Sequence, residues 1–225
     1  MTAHFVHEMD RLHREILSMC SSVEELLNEA VKGLQQPTAE LGAELNVRDH
    51  EIDELDLRVE EDCLKILALY QPVAQDLRRV TAVLKISAEL ERVGDLAVSI
   101  ADRASAIAAH RDFPLPERLG QMASDALSML HDSIDSYVDM DSEKARGVCR
   151  RDDAVDRMNV ELLNEVRQTM MKDPQLVDPG MHLFSAIRHI ERVADHATNI
   201  AEDVVYLIDG QIIRHPRIDR SNIRP

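Results

Sequence analysis

The chain has 225 residues, a formal charge of −16, no Trp, and only three Phe and three Tyr. So acidic a protein does not neutralise the phosphates of a nucleic acid, and it does not adsorb to an anionic lipid surface. It attracts cations or the basic faces of other proteins, and the scarcity of aromatic and β-branched runs makes an all-α chain the expectation.

The start, Met1-Thr2-Ala3-His4-Phe5-Val6-His7-Glu8, has no positive region followed by an apolar stretch, so no secretion signal is expected. No apolar run approaches the ~18 residues of a membrane helix, and direct membrane insertion is not expected. Cys20, Cys63 and Cys149 are odd in number and widely spaced, without metal-ligand spacing. They read as buried, reduced thiols of a cytoplasmic protein.

Prolines punctuate the chain between long helical patterns, at Pro37, Pro72, Pro114 with Pro116, Pro174 with Pro179, and Pro216. A further boundary falls at Asp139-Met140-Asp141-Ser142. The spacing predicts helices over 4–34, 38–69, 73–109, 115–139, 142–172 and 177–209, with Thr38 and Asp141 as helix caps. Short turns make neighbours antiparallel. The expectation is an elongated, all-α molecule made of two three-helix bundles, side by side or end to end, covering 1–110 and 111–210, with a tail over 211–225.

The two halves repeat one another. Glu91-Arg92-Val93-Gly94-Asp95-Leu96-Ala97-Val98-Ser99-Ile100-Ala101 returns 100 residues later as Glu191-Arg192-Val193-Ala194-Asp195-His196-Ala197-Thr198-Asn199-Ile200-Ala201, identical at seven of eleven positions. Arg48-Asp49-His50-Glu51-Ile52-Asp53 likewise returns as Arg151-Asp152-Asp153-Ala154-Val155-Asp156. Both copies keep their carboxylates as well as their apolar positions, so one unit is present twice.

Helical periodicity tells where the acids point. In the third helix Val83, Ile86, Leu90, Val93, Ala97 and Ile100 form an apolar stripe, and Glu91, Asp95 and Asp102 lie on another side, facing out of the bundle. Glu191, Asp195 and Glu202 do the same in the sixth helix. In the second helix Ile52, Leu55, Val59, Cys63 and Ile66 form the core stripe, with Asp49, Asp53, Asp56 and Glu60 beside it. Asp152 and Asp156 take that role in the fifth.

Carboxylates four apart sit one helical turn apart. Pairs on adjacent helices bring four anionic groups within reach of one ion, which would relieve their repulsion. Oxygen ligands suit magnesium, calcium, manganese or iron, and zinc also accepts carboxylates. His196 and Asn199 add a nitrogen or an amide beside the second pair. With 42 acids in the chain, roughly eight such pairs arise by chance, so the repetition carries the metal reading and no single pair does. The bland alternatives are a solvated acidic face, and Arg92 or Arg192 pairing with the acids.

No Glu-x-x-His, His-Glu-x-x-His, Gly-x-Ser-x-Gly or phosphate-loop motif is present. An enzyme is therefore not expected. The alternatives kept open are a metal-dependent, carboxylate-bridged hydrolase or oxidase, and a metal-free helical scaffold.

The tandem repeat, the stretch Gln71-Pro72-Val73-Ala74-Gln75-Asp76-Leu77-Arg78 and the two Glu-Arg-Val-x-Asp segments resemble the PhoU family over about residues 5–209. The resemblance implies two three-helix bundles, often dimeric, in a cytoplasmic regulator of phosphate uptake and phosphate-starvation signalling. Its implied partners are the ATPase subunit of a phosphate ABC transporter, a sensor histidine kinase and a second copy of itself. It also implies multinuclear metal clusters on Asp49, Asp53, Glu91 and Asp95 and on Asp152, Asp156, Glu191 and Asp195. The first half has Leu96 and Ser99 where the second has His196 and Asn199, so its metal support is expected to be the weaker.

Overall fold

A computed structural model describes residues 3–110 and 112–213. Seven α-helices and one 3-10 turn make up the described residues: α1 Ala3–Gln35, α2 Leu41–Tyr70, α3 Ala74–Ile107, α4 Leu119–Val138, α5 Ser142–Cys149, α6 Asp152–Lys172, the 3-10 turn Pro174–Leu176, and α7 Val177–Asp209. The longest of these helices measure ~50 Å at 1.5 Å per residue. Most of the tail anticipated over 211–225 lies outside the described residues.

The expected stripes are the core. Val83, Ile86, Leu90, Val93, Ala97 and Ile100 of α3 and Ile52, Leu55, Val59, Cys63 and Ile66 of α2 are all buried. α1, α2 and α3 pack together, as do α4 with α5 and α6 against α7. The two sets lie side by side: α3 runs against α7 along the middle, α1 touches α4, and the buried side chains join into one continuous core. Small residues are buried along both central helices: Ala97, Ala101 and Ala104 on α3, and Ala194, Ala197 and Ala201 on α7.

Helix ends follow local chemistry. α2 stops at Gln71, which adopts the left-handed conformation and donates its N–H to Leu67 O, just before Pro72. α7 stops in the same way at Gly210. Asp141 caps α5 as expected, accepting from the N–H groups of Glu143 and Lys144 at 3.0 Å. Thr38 caps nothing: α2 begins three residues later, at Leu41, behind Glu40. Asp141→Ala is expected to cost ~1 kcal/mol, whereas Thr38→Ala should stay within about 0.5 kcal/mol of wild type; urea unfolding of the two variants side by side checks this.

The expected fifth helix, 142–172, is two helices. At the junction Arg151 donates to Val148 O at 2.9 Å and Ala154 donates to Arg151 O at 3.0 Å, so the turn tightens to three-residue bonding. The Arg151 guanidinium reaches over to α4, where it binds Ser128 Oγ at 3.1 Å and Asp132 Oδ2 at 2.5 Å. The break puts Asp152 in the first turn of α6, where free N–H groups favour a negative charge. Of the three thiols, Cys20 and Cys63 are buried and free, but Cys149, at the junction, is only half-buried.

Candidate metal centre

Each half holds its acids on two adjoining helices, α2 with α3 and α6 with α7. The second half draws them together most closely. One carboxylate oxygen each from Asp156, Glu191 and Asp195 lies within 4.8 Å of the others. Asp152, one turn before Asp156, accepts a hydrogen bond from Thr198 Oγ1 at 3.1 Å. Glu191 Oε2 is buried without a hydrogen-bond partner.

In the first half the acids are partly engaged. Arg92 reaches Glu91 Oε2 and Asp95 Oδ2, each at 3.3 Å, so the expected pairing of this arginine with the acids is present. Asp53 is exposed and Glu91 half-buried. Asp49 lies deeper than its place beside the core stripe suggested: it is 8% exposed, and its Oδ1 has no hydrogen-bond partner. The cause lies on the neighbouring helix. A Cβ at Gly94 would stand 2.7 Å from Asp49 Oδ1, so glycine there lets the carboxylate sink between α2 and α3. Ala194 takes the same place in the second half, and Asp152 correspondingly stays half-buried. Asp102 stands apart from the group, against Gly42 of α2, and Asp56 accepts from Ser87 Oγ at 2.5 Å.

The electrostatics follow from crowding like charges. Burial, then repulsion from Asp53, Asp95 and Glu91, pushes the Asp49 carboxyl up to about 6. Asp195 keeps an exposed edge, yet partial burial and then Glu191, Asp152 and Asp156 push it up to about 6 as well. Glu91, Glu191 and Asp152 are raised too, with burial leading in each. Two buried carboxylate oxygens without partners, set in clusters that resist ionisation, are what a multivalent cation would satisfy. The donor set is all oxygen and suits a hard cation. A bound ion would be held by Asp152, Asp156, Glu191 and Asp195 in one half and by Asp49, Asp53, Glu91 and Asp95 in the other.

His196 and Asn199 face a partner that the repeat alone did not reveal. His196 Nδ1 lies 2.6 Å from Glu89 Oε2, and Asn199 Nδ2 donates to the same oxygen at 3.1 Å. Glu89 belongs to α3, so these bonds cross between the halves and orient the ring beside Asp195. Lys85 Nζ crosses likewise to Asp203 Oδ1 at 3.1 Å, and Arg103 meets His182 at 3.4 Å. The signal was present in the 100-residue offset read outward from the repeat: Lys85 stands against Ser185, Glu89 against His189, and Arg103 against Asp203. Charged positions that differ between otherwise matching halves mark the seam.

Comparison with known proteins agrees with this architecture. The PhoU domain model matches twice, over residues 16–104 and 119–204. A phosphate-specific transport system accessory protein PhoU homolog of Aquifex aeolicus is 35% identical, covering 94% of this chain and 96% of its own. The homolog of Pseudomonas aeruginosa is 32% identical, covering 96% and 90%. The crystal structure of PhoU from Pseudomonas aeruginosa superposes with a TM-score of 0.89 over 92% of this chain and all 100% of that one, at 32% identity. The phosphate transport system regulatory protein PhoU from Streptococcus pneumoniae superposes at 0.85, over 93% and 99%, with 29% identity. No helix among the described residues is long and apolar enough to cross a membrane. With both halves matched and relatives aligned along nearly their whole length, the chain belongs to the PhoU family.

Proposed function

We propose that this protein is a cytoplasmic regulatory accessory protein of phosphate-specific transport, acting by binding other proteins and not by turnover. Its partners are the ATPase subunit of the phosphate transporter and a sensor histidine kinase, and it restrains the phosphate-starvation response while phosphate is plentiful. It works as a homodimer of two-unit chains, the units being 1–110 and 111–210, with metal ions on the two acidic faces. The observation that carries the reading is the family match over both halves, to relatives named as accessory proteins of phosphate-specific transport.

The physical support is the charge. A net charge of −16 and two clusters of carboxylates suit a protein that meets basic surfaces and cations. Bound ions would neutralise those faces and so set which partner surface they accept; that is the chemistry a metal supplies here. The chain's own residues supply the ligand oxygens, and Thr198 steadies Asp152.

The test is a phosphate-starvation promoter reporter in the gene-deleted host, grown in excess phosphate. High expression in the deletion, silenced by the wild-type gene in trans, is the expected result. Loss of silencing by the combined Asp152/Asp156/Glu191/Asp195→Ala variant would tie repression to the acids. A reporter that stays silent without the gene would refute the regulatory role.

A further inference from the structure

Where the first half's acids meet α7 the structure holds a cavity of about 410 Å³, within the usual range for small-ligand sites. Its walls are of opposite character. On one side are Asp95 and Asp49, the latter 8% exposed with an unpartnered Oδ1. On the other are Arg192 and His189, whose Nδ1 is buried without a partner while Nε2 lies 3.2 Å from Ser185 Oγ. Arg92, Ser99 and Asn46 complete the polar lining, and only Leu96 and Val98 are apolar.

The corresponding place in the second half is bridged. There Glu89 takes both His196 and Asn199, at 2.6 and 3.1 Å. Beside the first half's acids the equivalent positions are His189 of α7 and Leu96 and Ser99 of α3, and none of them rebuilds that cluster. The duplication thus left one closed seam and one open one.

A cation alone would suit Asp49 and Asp95 but would face two arginines. An anion alone would suit the arginines but would face the carboxylates. A ligand with a carbon framework would find almost no apolar wall. We propose that this cavity binds a small tetrahedral oxyanion, held by Arg92, Arg192 and His189, together with a cation on the Asp49 and Asp95 side. The inference rests on the cation reading above and deepens it: cation loading releases Arg92 from Glu91 and Asp95 and turns it to the anion. The two acidic centres are then unlike, one reading an oxyanion and one closed by Glu89.

The experiment is equilibrium dialysis of radiolabelled inorganic phosphate against the full chain, with and without Mn²⁺. Mn²⁺ binding is titrated separately. Phosphate should be retained only with Mn²⁺, and Arg192→Gln and His189→Leu should each weaken retention tenfold or more. Arg146→Gln, which removes an equal charge at the Asp209 end of α7, should keep it. Circular-dichroism melting establishes that each variant is folded. Mn²⁺ binding without phosphate retention, retention without Mn²⁺, or retention indifferent to both cavity variants overturns the inference and leaves the cation reading standing. Failure to bind Mn²⁺ overturns both.

Discussion

Mn²⁺ added to metal-stripped protein at one hundred times its dissociation constant is expected to stabilise the fold by ~2.7 kcal/mol per occupied cluster. Replacing Asp156, Glu191 and Asp195 by their amides should remove the second half's share of that gain. The same variant should melt higher than wild type when both are stripped. The reason is geometric: three carboxylates with oxygens inside 4.8 Å repel one another unless something positive stands between them. Amides keep the shape and lose the repulsion. A solvated acidic face predicts a different pattern, with no response to Mn²⁺ beyond that to matched ionic strength. Differential scanning calorimetry of the two proteins, stripped and loaded, decides between them.

The second large effect is on pH. For a carboxyl raised from 3.8 to about 6, as Asp49 is, the folded state holds its proton in a window where the unfolded chain has lost it. Below about pH 4 both states are protonated and the group contributes nothing. Between 4 and 6 the unfolded state binds fewer protons, so stability falls as pH rises. Above 6 the full penalty is present, on the order of 3 kcal/mol for Asp49. Asp195 adds in the same direction, but its exposed edge lets solvent screen much of its share. Metal-stripped protein should therefore lose stability from pH 4 to pH 7 through these groups. The Mn²⁺-loaded protein should show the opposite trend, because ligation needs the ionised form. Gly94→Ala provides the control: its Cβ would stand 2.7 Å from Asp49 Oδ1, driving that carboxylate toward water and flattening the stripped-protein slope. Urea melts at half-unit pH steps measure all three, and a Gly94→Ala slope equal to wild type would remove Asp49 as the cause.

The helices were legible because long apolar stripes on α2 and α3 have one period and prolines end them. What escaped depended on a second helix. Asp49 shares its face with the solvated Asp53 by periodicity, and only Gly94 across the groove makes room to bury it. The break before Asp152 carries no proline; it comes with an arginine that reaches α4, and that is a tertiary contact. Thr38 follows a proline and looks like a cap, but α2 starts at Leu41 instead. The acids of the candidate centre stood out because the repeat kept them. Glu89 and His189 were not, because they differ between the halves and a search for likeness passes over them.

The pairs across the seam also bear on how the two halves came to depend on each other. If the first half met a copy of itself in the same register, Lys85 would come against Arg103 and Glu89 against Leu96 and Ser99. A copy of the second half would set Asp203 against Ser185 and His189 against His196 and Asn199. Neither reproduces the Lys85–Asp203 or Glu89–His196 contact. The complementary charges are therefore divided between the two halves, α3 holding one member of each pair and α7 the other. Each half is thereby the specific electrostatic partner of the other, and a pairing of two like halves would leave these charges unmatched.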